Sequence, residues 1–224
     1  MESTVENFNM DFTSKVVINS AEQPWLESPM AGVERKPLAR ENRESGHATS
    51  IVRYQTGANF SAHQHPLGEE IFVLEGVFSD EHGDYPAGSY IRNPPGSSHS
   101  PFSKEGCVLF VKLNQFDRRD GEEVRVNTLE AAWRPGIGGL QVMPLHDFEG
   151  QHTALVKWPA NEVFQPHQHF GGEEILVLSG QFEDQYGQYP VGSWIRSPHQ
   201  SSHHPFVVEE TVILVKVGHL MPAP

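Results

Sequence analysis

The chain is written twice, and that duplication limits what it can fold into more than any other feature. Sliding its 224 residues by 104 positions lays His63-Gln64-His65 on His167-Gln168-His169. The same shift lays Gly68-Glu69-Glu70-Ile71 on Gly172-Glu173-Glu174-Ile175 and runs without a gap to Val111-Lys112 on Val215-Lys216. Of the 51 positions from His63 to Leu113, 29 are identical under the shift. A repeat of this length means one structural unit made two times, each with a core of its own. Upstream, Val16-Val17-Ile18-Asn19 and Trp25 match Val124-Arg125-Val126-Asn127 and Trp133 at a shift of 108, and Pro37-Leu38 matches Pro144-Leu145. The expected organisation is a polar arm at 1–15, a first domain at 16–113, a charged linker at 114–123, a second domain at 124–217 and a short tail at 218–224. The arm is a candidate for exchange with a partner subunit, which would make the protein a homodimer.

Both units read as β. Ser50-Ile51-Val52-Arg53-Tyr54, Ile71-Phe72-Val73-Leu74 and Cys107-Val108-Leu109-Phe110-Val111 are short runs rich in β-branched and aromatic residues. Gly, Pro, Asn and Asp separate them at the spacing of sandwiches and barrels. Glu81-His82-Gly83-Asp84 and Gln185-Tyr186-Gly187-Gln188 read as hairpin turns in which Gly83 and Gly187 supply positive φ. Ser20 to Trp25 and Thr128 to Trp133 are each long enough for one helical turn, and the paired tryptophans read as core anchors. No longer stretch carries a 3.6-residue period, so the expected fold class is all-β.

The formal charge of −13 offers no basic field for phosphates, which excludes a nucleic-acid partner. Apolar runs such as Val108 to Val111 and Val212 to Val215 are far too short for a membrane span. The opening Met1-Glu2-Ser3-Thr4-Val5-Glu6 has neither a basic region nor an apolar stretch, so the expected location is cytoplasmic. A single cysteine, Cys107, leaves no internal disulfide and no multi-cysteine zinc site.

Histidine is over-used, with 13 copies. In a strand, residues i and i+2 project from one face, so His63 and His65 point together, as do His167 and His169. Pro66-Leu67-Gly68 and Phe170-Gly171-Gly172 turn the chain so that Glu69 and Glu173 open the next strand beside them. His99 and His203 follow Pro-containing loops downstream. A lone His-x-His would read as ordinary hydrogen-bonded side chains. Six histidines at equivalent places in two copies, each set with its glutamate, read instead as metal ligands. Three neutral imidazoles and one carboxylate suit Fe(II), Zn, Mn or Ni, one divalent ion per unit, and choose poorly among them. His199 and His204 flank His203 as alternative ligands. Glu70 and Glu174 adjoin the proposed ligands but should face away in a regular strand, as hydrogen-bond acceptors behind the ligands or as surface charges.

Gly57, five residues, His63-x-His65, three residues, Glu69, six residues and Gly76 resemble the first cupin motif. Gly88, five residues, Pro94-x-Gly96, two residues and His99 resemble the second. In the second unit Asn161 and Gln200 replace the first and the inner glycine, a departure in turn shape. The resemblance covers nearly the whole chain and implies a bicupin, two tandem double-stranded β-helix (jelly-roll) barrels. More narrowly, Phe78 to Gly88 and Arg92-Asn93-Pro94-Pro95-Gly96-Ser97-Ser98-His99 resemble the cupin domain of the ChrR anti-sigma factors. That resemblance implies zinc held by His63, His65, Glu69 and His99, and again by His167, His169, Glu173 and His203. It also implies a sigma factor, or another regulatory protein, as partner in oxidative-stress control. The family's separate sigma-gripping zinc domain, with its His-x-x-x-Cys-x-x-Cys motif, has no counterpart in this sequence. Two functional classes are consistent with these residues. One is a metal-binding regulatory bicupin. The other is an Fe(II)-dependent dioxygenase that binds a β-diketone or hydroxyketone at the metal, with Phe60, Phe72 and Phe102, and their copies Phe164, Leu176 and Phe206, as candidates for an apolar wall.

Overall fold

In the computed structural model, the described residues are 7–221; the ends of the expected arm and tail, residues 1–6 and 222–224, lie outside them. Strands dominate, and the one helical element among the described residues is a single 3-10 turn at Ser20–Glu22. The chain divides into two compact units, and each is a jelly-roll barrel.

The first unit is built on a sheet in the order Val124–Asn127, Ser89–Asn93, Glu69–Asp80, Cys107–Leu113, Ala48–Tyr54, Val33–Arg40 and Leu26–Glu27. Residues of alternate parity point inward: Ile71, Val73, Leu109, Val111 and Tyr54 pack with Val33, Phe78 and Ile91. Each such side chain contributes roughly 1.5–3 kcal/mol on burial. A small ribbon, His63–Gln64 with Ser98–His99, closes one end.

The second unit repeats the plan with Val16–Asn19, Ser193–Ser197, Glu173–Ser179, Thr211–Val217, Gln151–Trp158, Gln141–Phe148 and Arg134–Pro135. Its core gathers Trp158, Ile175, Val177, Phe182, Tyr189, Ile195 and Ile213. The matching ribbon is His167–Gln168 with Ser202–His203.

The compact units do not follow the sequence repeat. Strand Val16–Asn19, which opens the first repeat, pairs with Ser193–Ser197 and belongs to the second unit. Strand Val124–Asn127, which opens the second repeat, pairs with Ser89–Asn93 and belongs to the first. The two halves have exchanged their leading strands, so the expected boundaries at 16 and 124 separate repeats rather than barrels.

Each sheet carries a buried polar row on its outer face. Lys112, Glu70 and Arg92 lie side by side on three adjacent strands, as do Lys216, Glu174 and Arg196. All six are buried, and Tyr90 donates its hydroxyl to Glu70 Oε1 at 2.6 Å. Glu70 and Glu174 thus face away from the ligand histidines as expected, but they are not surface charges; Glu174 Oε1 lies 3.4 Å from His219 Nε2. Arg92 is roofed by the Phe116 ring at 3.7 Å and donates to Asp120 and to the Glu122 carbonyl. Residues 114–123 are therefore a folded cover over a guanidinium rather than a solvated linker. The arm does the same in the second unit, where Phe12 lies 4.6 Å from the Arg196 guanidinium and the Asp11 carbonyl accepts from it at 2.8 Å.

Three local expectations change. Trp25 and Trp133 are half-buried rather than core anchors. Lys36 and Arg53 lie 4.5 and 4.2 Å from the Trp25 ring, and Lys157 lies 4.7 Å from Trp133, so cations rather than apolar side chains cover them. The hairpins form at 81–82 and 185–186, yet neither Gly83 nor Gly187 has positive φ. The Asp80 and Asp184 carboxylates shape those turns instead, accepting from the amides of His82 and Tyr186 at 2.8 Å. At the two departures from the glycine pattern the backbone is kept: Asn161 (φ 63°) and Gln200 (φ 62°) take the left-handed conformation of Gly57 and Gly96.

Candidate metal centres

The ribbons place the histidines. Antiparallel pairing puts His63 directly opposite His99 and His167 opposite His203. His65 and His169 sit two residues on, and Glu69 and Glu173 begin the long strands behind them. In each unit one ligand atom from each of the four side chains lies within 4.8 Å of the others. In the first, His65 Nε2 and His99 Nε2 stand 3.4 and 3.3 Å from Glu69 Oε2. In the second, His167 Nε2 lies 3.1 Å from His169 Nε2 and 3.3 Å from His203 Nε2, with Glu173 Oε2 3.4 and 3.7 Å from the latter two. Ligands at about 2.1 Å from a shared ion are separated by roughly 3 Å, which these edges match. His199 and His204 join neither cluster: His199 Nδ1 accepts from the Gly171 amide at 2.8 Å.

The far nitrogen of every imidazole is fixed from outside. His63 and His167 Nδ1 face the carbonyls of Ser61 and Gln165 at 2.9 and 3.1 Å. His65 and His169 Nδ1 face Ser97 and Ser201 Oγ, each at 3.1 Å. Ser97 Oγ donates to the Pro94 carbonyl at 2.6 Å, so it receives the proton of His65 Nδ1. His99 and His203 Nδ1 face Asp80 and Asp184 Oδ2, each at 3.4 Å. With Nδ1 carrying the proton, each ring turns the Nε2 lone pair to the centre, the tautomer a metal requires. Three atoms at the centres, His65 Nε2, His99 Nε2 and Glu173 Oε2, are buried without a hydrogen-bond partner. Orphaned acceptors turned toward these centres are costly unless something binds there. The residues fit a divalent ion in each barrel, whose identity the donor set leaves open.

Electrostatics agree. Burial pulls His65 down to about 4, and burial, with His203 and His167 nearby, pulls His169 down to about 3, so both rings are neutral near pH 7. Burial pushes Glu173 up to about 7. Burial works against the Asp80 charge too, but the bonds from His99 and the His82 amide hold it below the usual carboxylate range.

The asymmetry between the barrels lies behind the ligands. Asn93 Nδ2 donates to Glu69 Oε2 at 2.9 Å, and Arg125 of the exchanged strand donates to Asn93 Oδ1 at 2.6 Å. The corresponding register position beside Glu173 is Ser197. In the second barrel Lys15 Nζ instead reaches Asp184 Oδ2 at 3.4 Å and the Tyr189 hydroxyl at 3.1 Å. None of Asp80, Asp184, Ser97, Ser201, Asn93 or Arg125 stood out by ligand spacing. The first four are identical in the two repeats, which is the signal that marks them.

Beside the first quartet lies a cavity of 280 Å³ whose wall includes His63, His65, Glu69 and His99. Phe60, Tyr54, Ile71, Phe78 and Leu109 supply its apolar side; of the three expected phenylalanines, Phe60 lines it, while Phe72 and Phe102 do not.

Two regions of the chain, residues 13–117 and 121–221, match the family model described as the ChrR cupin-like domain. No curated protein matches the chain in sequence. Among solved structures it is similar to a provisionally named dioxygenase from Nostoc punctiforme, with 15% identity, TM-score 0.78, and coverage of 94% of this chain and 85% of that one. It is also similar to the pirin YhhW from Escherichia coli in complex with nickel(II), with 13% identity, TM-score 0.69, and coverage of 94% and 100%. A third is the Lactobacillus farciminis oxalate decarboxylase in complex with formate, with 12% identity, TM-score 0.66, and coverage of 94% and 88%. At these identities the likeness is one of fold.

Proposed function

The chain belongs to the ChrR cupin-like family, and on that premise we propose that it holds one divalent metal ion per barrel and acts, through the first, as a dioxygenase-type enzyme on a small oxygenated molecule. The observation that carries this reading is the 280 Å³ cavity with the first quartet on its wall. It lies just below the usual range of ligand cavities, about 300 to 1,000 Å³, and suits a small ligand.

A divalent ion held there supplies Lewis-acid polarisation of a substrate's oxygens and, as iron, access to O₂ chemistry. The chain's own residues do the rest. His63, His65, His99 and Glu69 hold the ion, and Asp80 keeps the His99 ring in orientation. Phe60, Ile71, Phe78 and Leu109 exclude water from the reacting end. Burial raises the Tyr54 phenol above its ordinary range, so it stays protonated and is a donor for a substrate oxygen.

The family supports a second use of the same site: a regulatory protein in which oxidation or ligation at the ion alters the ribbon that carries His63 and His99. A sigma factor or other regulatory protein is the partner that use requires.

Metal analysis of protein purified without added metal tests the common premise. Wild type should hold two equivalents, and His99→Ala and His203→Ala one each. Oxygen uptake by iron-loaded protein across a panel of β-diketones and hydroxyketones tests the enzyme. No uptake, together with retention of a regulatory protein by the metal-loaded chain, would overturn the enzyme reading in favour of the regulator.

A further inference from the structure

The cavity of the first barrel holds a guanidinium with no part in holding the ion. Arg40 lines it together with Arg35 and the quartet. Sheet register fixes its place: Glu69, Leu113, Ala48 and Arg40 form one rung across four neighbouring strands. Side chains in one rung share a face, so Arg40 enters the barrel at the height of the proposed ion. Three strand spacings of about 4.8 Å set their backbones roughly 14 Å apart. Long side chains reaching in from both ends leave room between them for a small molecule.

Arg40 is 6% exposed. Its Nε donates to the Arg43 carbonyl at 2.9 Å, which fixes the plane of the head group. Neither Nη donates to a described residue, and no described carboxylate lies within 4 Å of it. Its neighbour Arg35 is matched by Glu44 at 2.6 Å. Burial and the nearby Arg35 pull Arg40 down to about 10 against the opposing influence of Glu44, so it remains charged at neutral pH. Two guanidinium groups, Arg35 and Arg40, thus share this wall with one carboxylate, Glu44, which Arg35 engages directly. A buried cation with no carboxylate in direct contact is costly, and the planar fork suits one.

The second barrel lacks this device. Its matching rung is Glu173, Val217, His152 and Asp147. Asp147 is exposed and pairs with His152 Nδ1 at 2.5 Å. The position of Arg35 is taken by Val142, which lies opposite Val156 as Arg35 lies opposite Val52.

Resting on the proposal that the first quartet holds a metal ion, we infer that the first barrel's ligand is a small carboxylate bearing a second oxygen donor, an oxo or hydroxy acid. Its carboxylate sits on Arg40 and its other oxygen at the ion, and the second barrel takes no such ligand.

The test is calorimetric titration of the zinc-loaded full chain with 2-oxobutanoate and with pentane-2,4-dione, which match in size and differ in charge. Wild type should bind one equivalent of the oxo acid per chain. Arg40→Met should weaken that binding tenfold or more, with metal content and diketone binding unchanged, and Arg40→Lys should recover part of the loss. Equal oxo-acid affinity in wild type and Arg40→Met, two equivalents bound, or no binding by wild type would each overturn the inference. If Arg40→Met does not fold, the preference of wild type for the oxo acid over the diketone and its stoichiometry decide. Repeating the titration on metal-free protein separates the two proposals: Arg40-dependent binding that survives there supports the carboxylate assignment even if no metal is ever found.

Discussion

Asp80 stands behind His99, its Oδ2 3.4 Å from the imidazole Nδ1, and Asp184 stands behind His203 at the same distance. The carboxylate comes from the end of the long strand Glu69–Asp80, so the strand that begins with one candidate ligand ends with the support of another. Partners of this kind set ring orientation and ligand basicity, and losing one costs about 10–100-fold in metal affinity. Asp80→Ala should weaken zinc binding by the first barrel by that factor and leave the second unchanged. Competition with a chromogenic chelator, with Asp184→Ala as the mirror case, measures it; equal loss from both barrels in either variant would contradict the assignment.

Acid should destabilise the metal-free chain before it protonates ordinary carboxylates. Burial holds His65 at about 4 and His169 at about 3, against an ordinary 6.5. Between pH 6.5 and those values the unfolded chain binds protons that the folded chain refuses, so stability falls as pH falls through that window. Moving a pKa by one pH unit is worth about 1.4 kcal/mol, which makes the His65 contribution of order 3 kcal/mol. His99 and Glu173 work the other way. Burial lowers His99, but the Asp80 bond and Glu69 raise it above its ordinary value overall, and burial raises Glu173 to about 7. Both favour the folded chain as pH falls and offset part of the loss. Urea unfolding at pH 7.5 and 4.5 should show a smaller drop in His65→Gln than in wild type. Identical drops would refute the account.

Gln200 holds φ 62°, a conformation that costs a residue with a Cβ roughly 1–2 kcal/mol. Gln200→Gly should therefore raise stability by about 1 kcal/mol, after the entropy glycine adds to the unfolded chain is subtracted. Thermal unfolding of the metal-loaded variant measures the change, and a lower melting temperature would show that the Gln200 side chain has a role the backbone does not reveal.

Cys107 lies in a core strand between Tyr54 and Gly76, and burial pushes its thiol up to about 11. Only the thiolate reacts with disulfide reagents. The native protein should give no thiol titre at pH 8 and one equivalent in denaturant. Fast native labelling would show Cys107 to be an accessible, reactive thiol.

The quartets were legible in sequence because their geometry is local: His63 and His65 share a strand face, Glu69 follows one tight turn, and the repeat shows all of it twice. Charge–imidazole pairs such as Asp80–His99 join residues far apart in sequence, and only their identity in both repeats hinted at them. The exchanged strands left no trace, because pairing Val16–Asn19 with either barrel satisfies the same alternation of side chains. Nor did composition distinguish a solvated linker from the cover over Arg92, since Phe116 and Asp120 sit among charges that are exposed.

The traded leading strands set an order of events during synthesis. A nascent chain that has released its first 113 residues still lacks Val124–Asn127, the edge of its own first sheet, and holds in Val16–Asn19 an edge meant for residues not yet made. Neither barrel can close until the ribosome has passed the midpoint, and a gene cut at the repeat boundary yields two incomplete proteins rather than two domains.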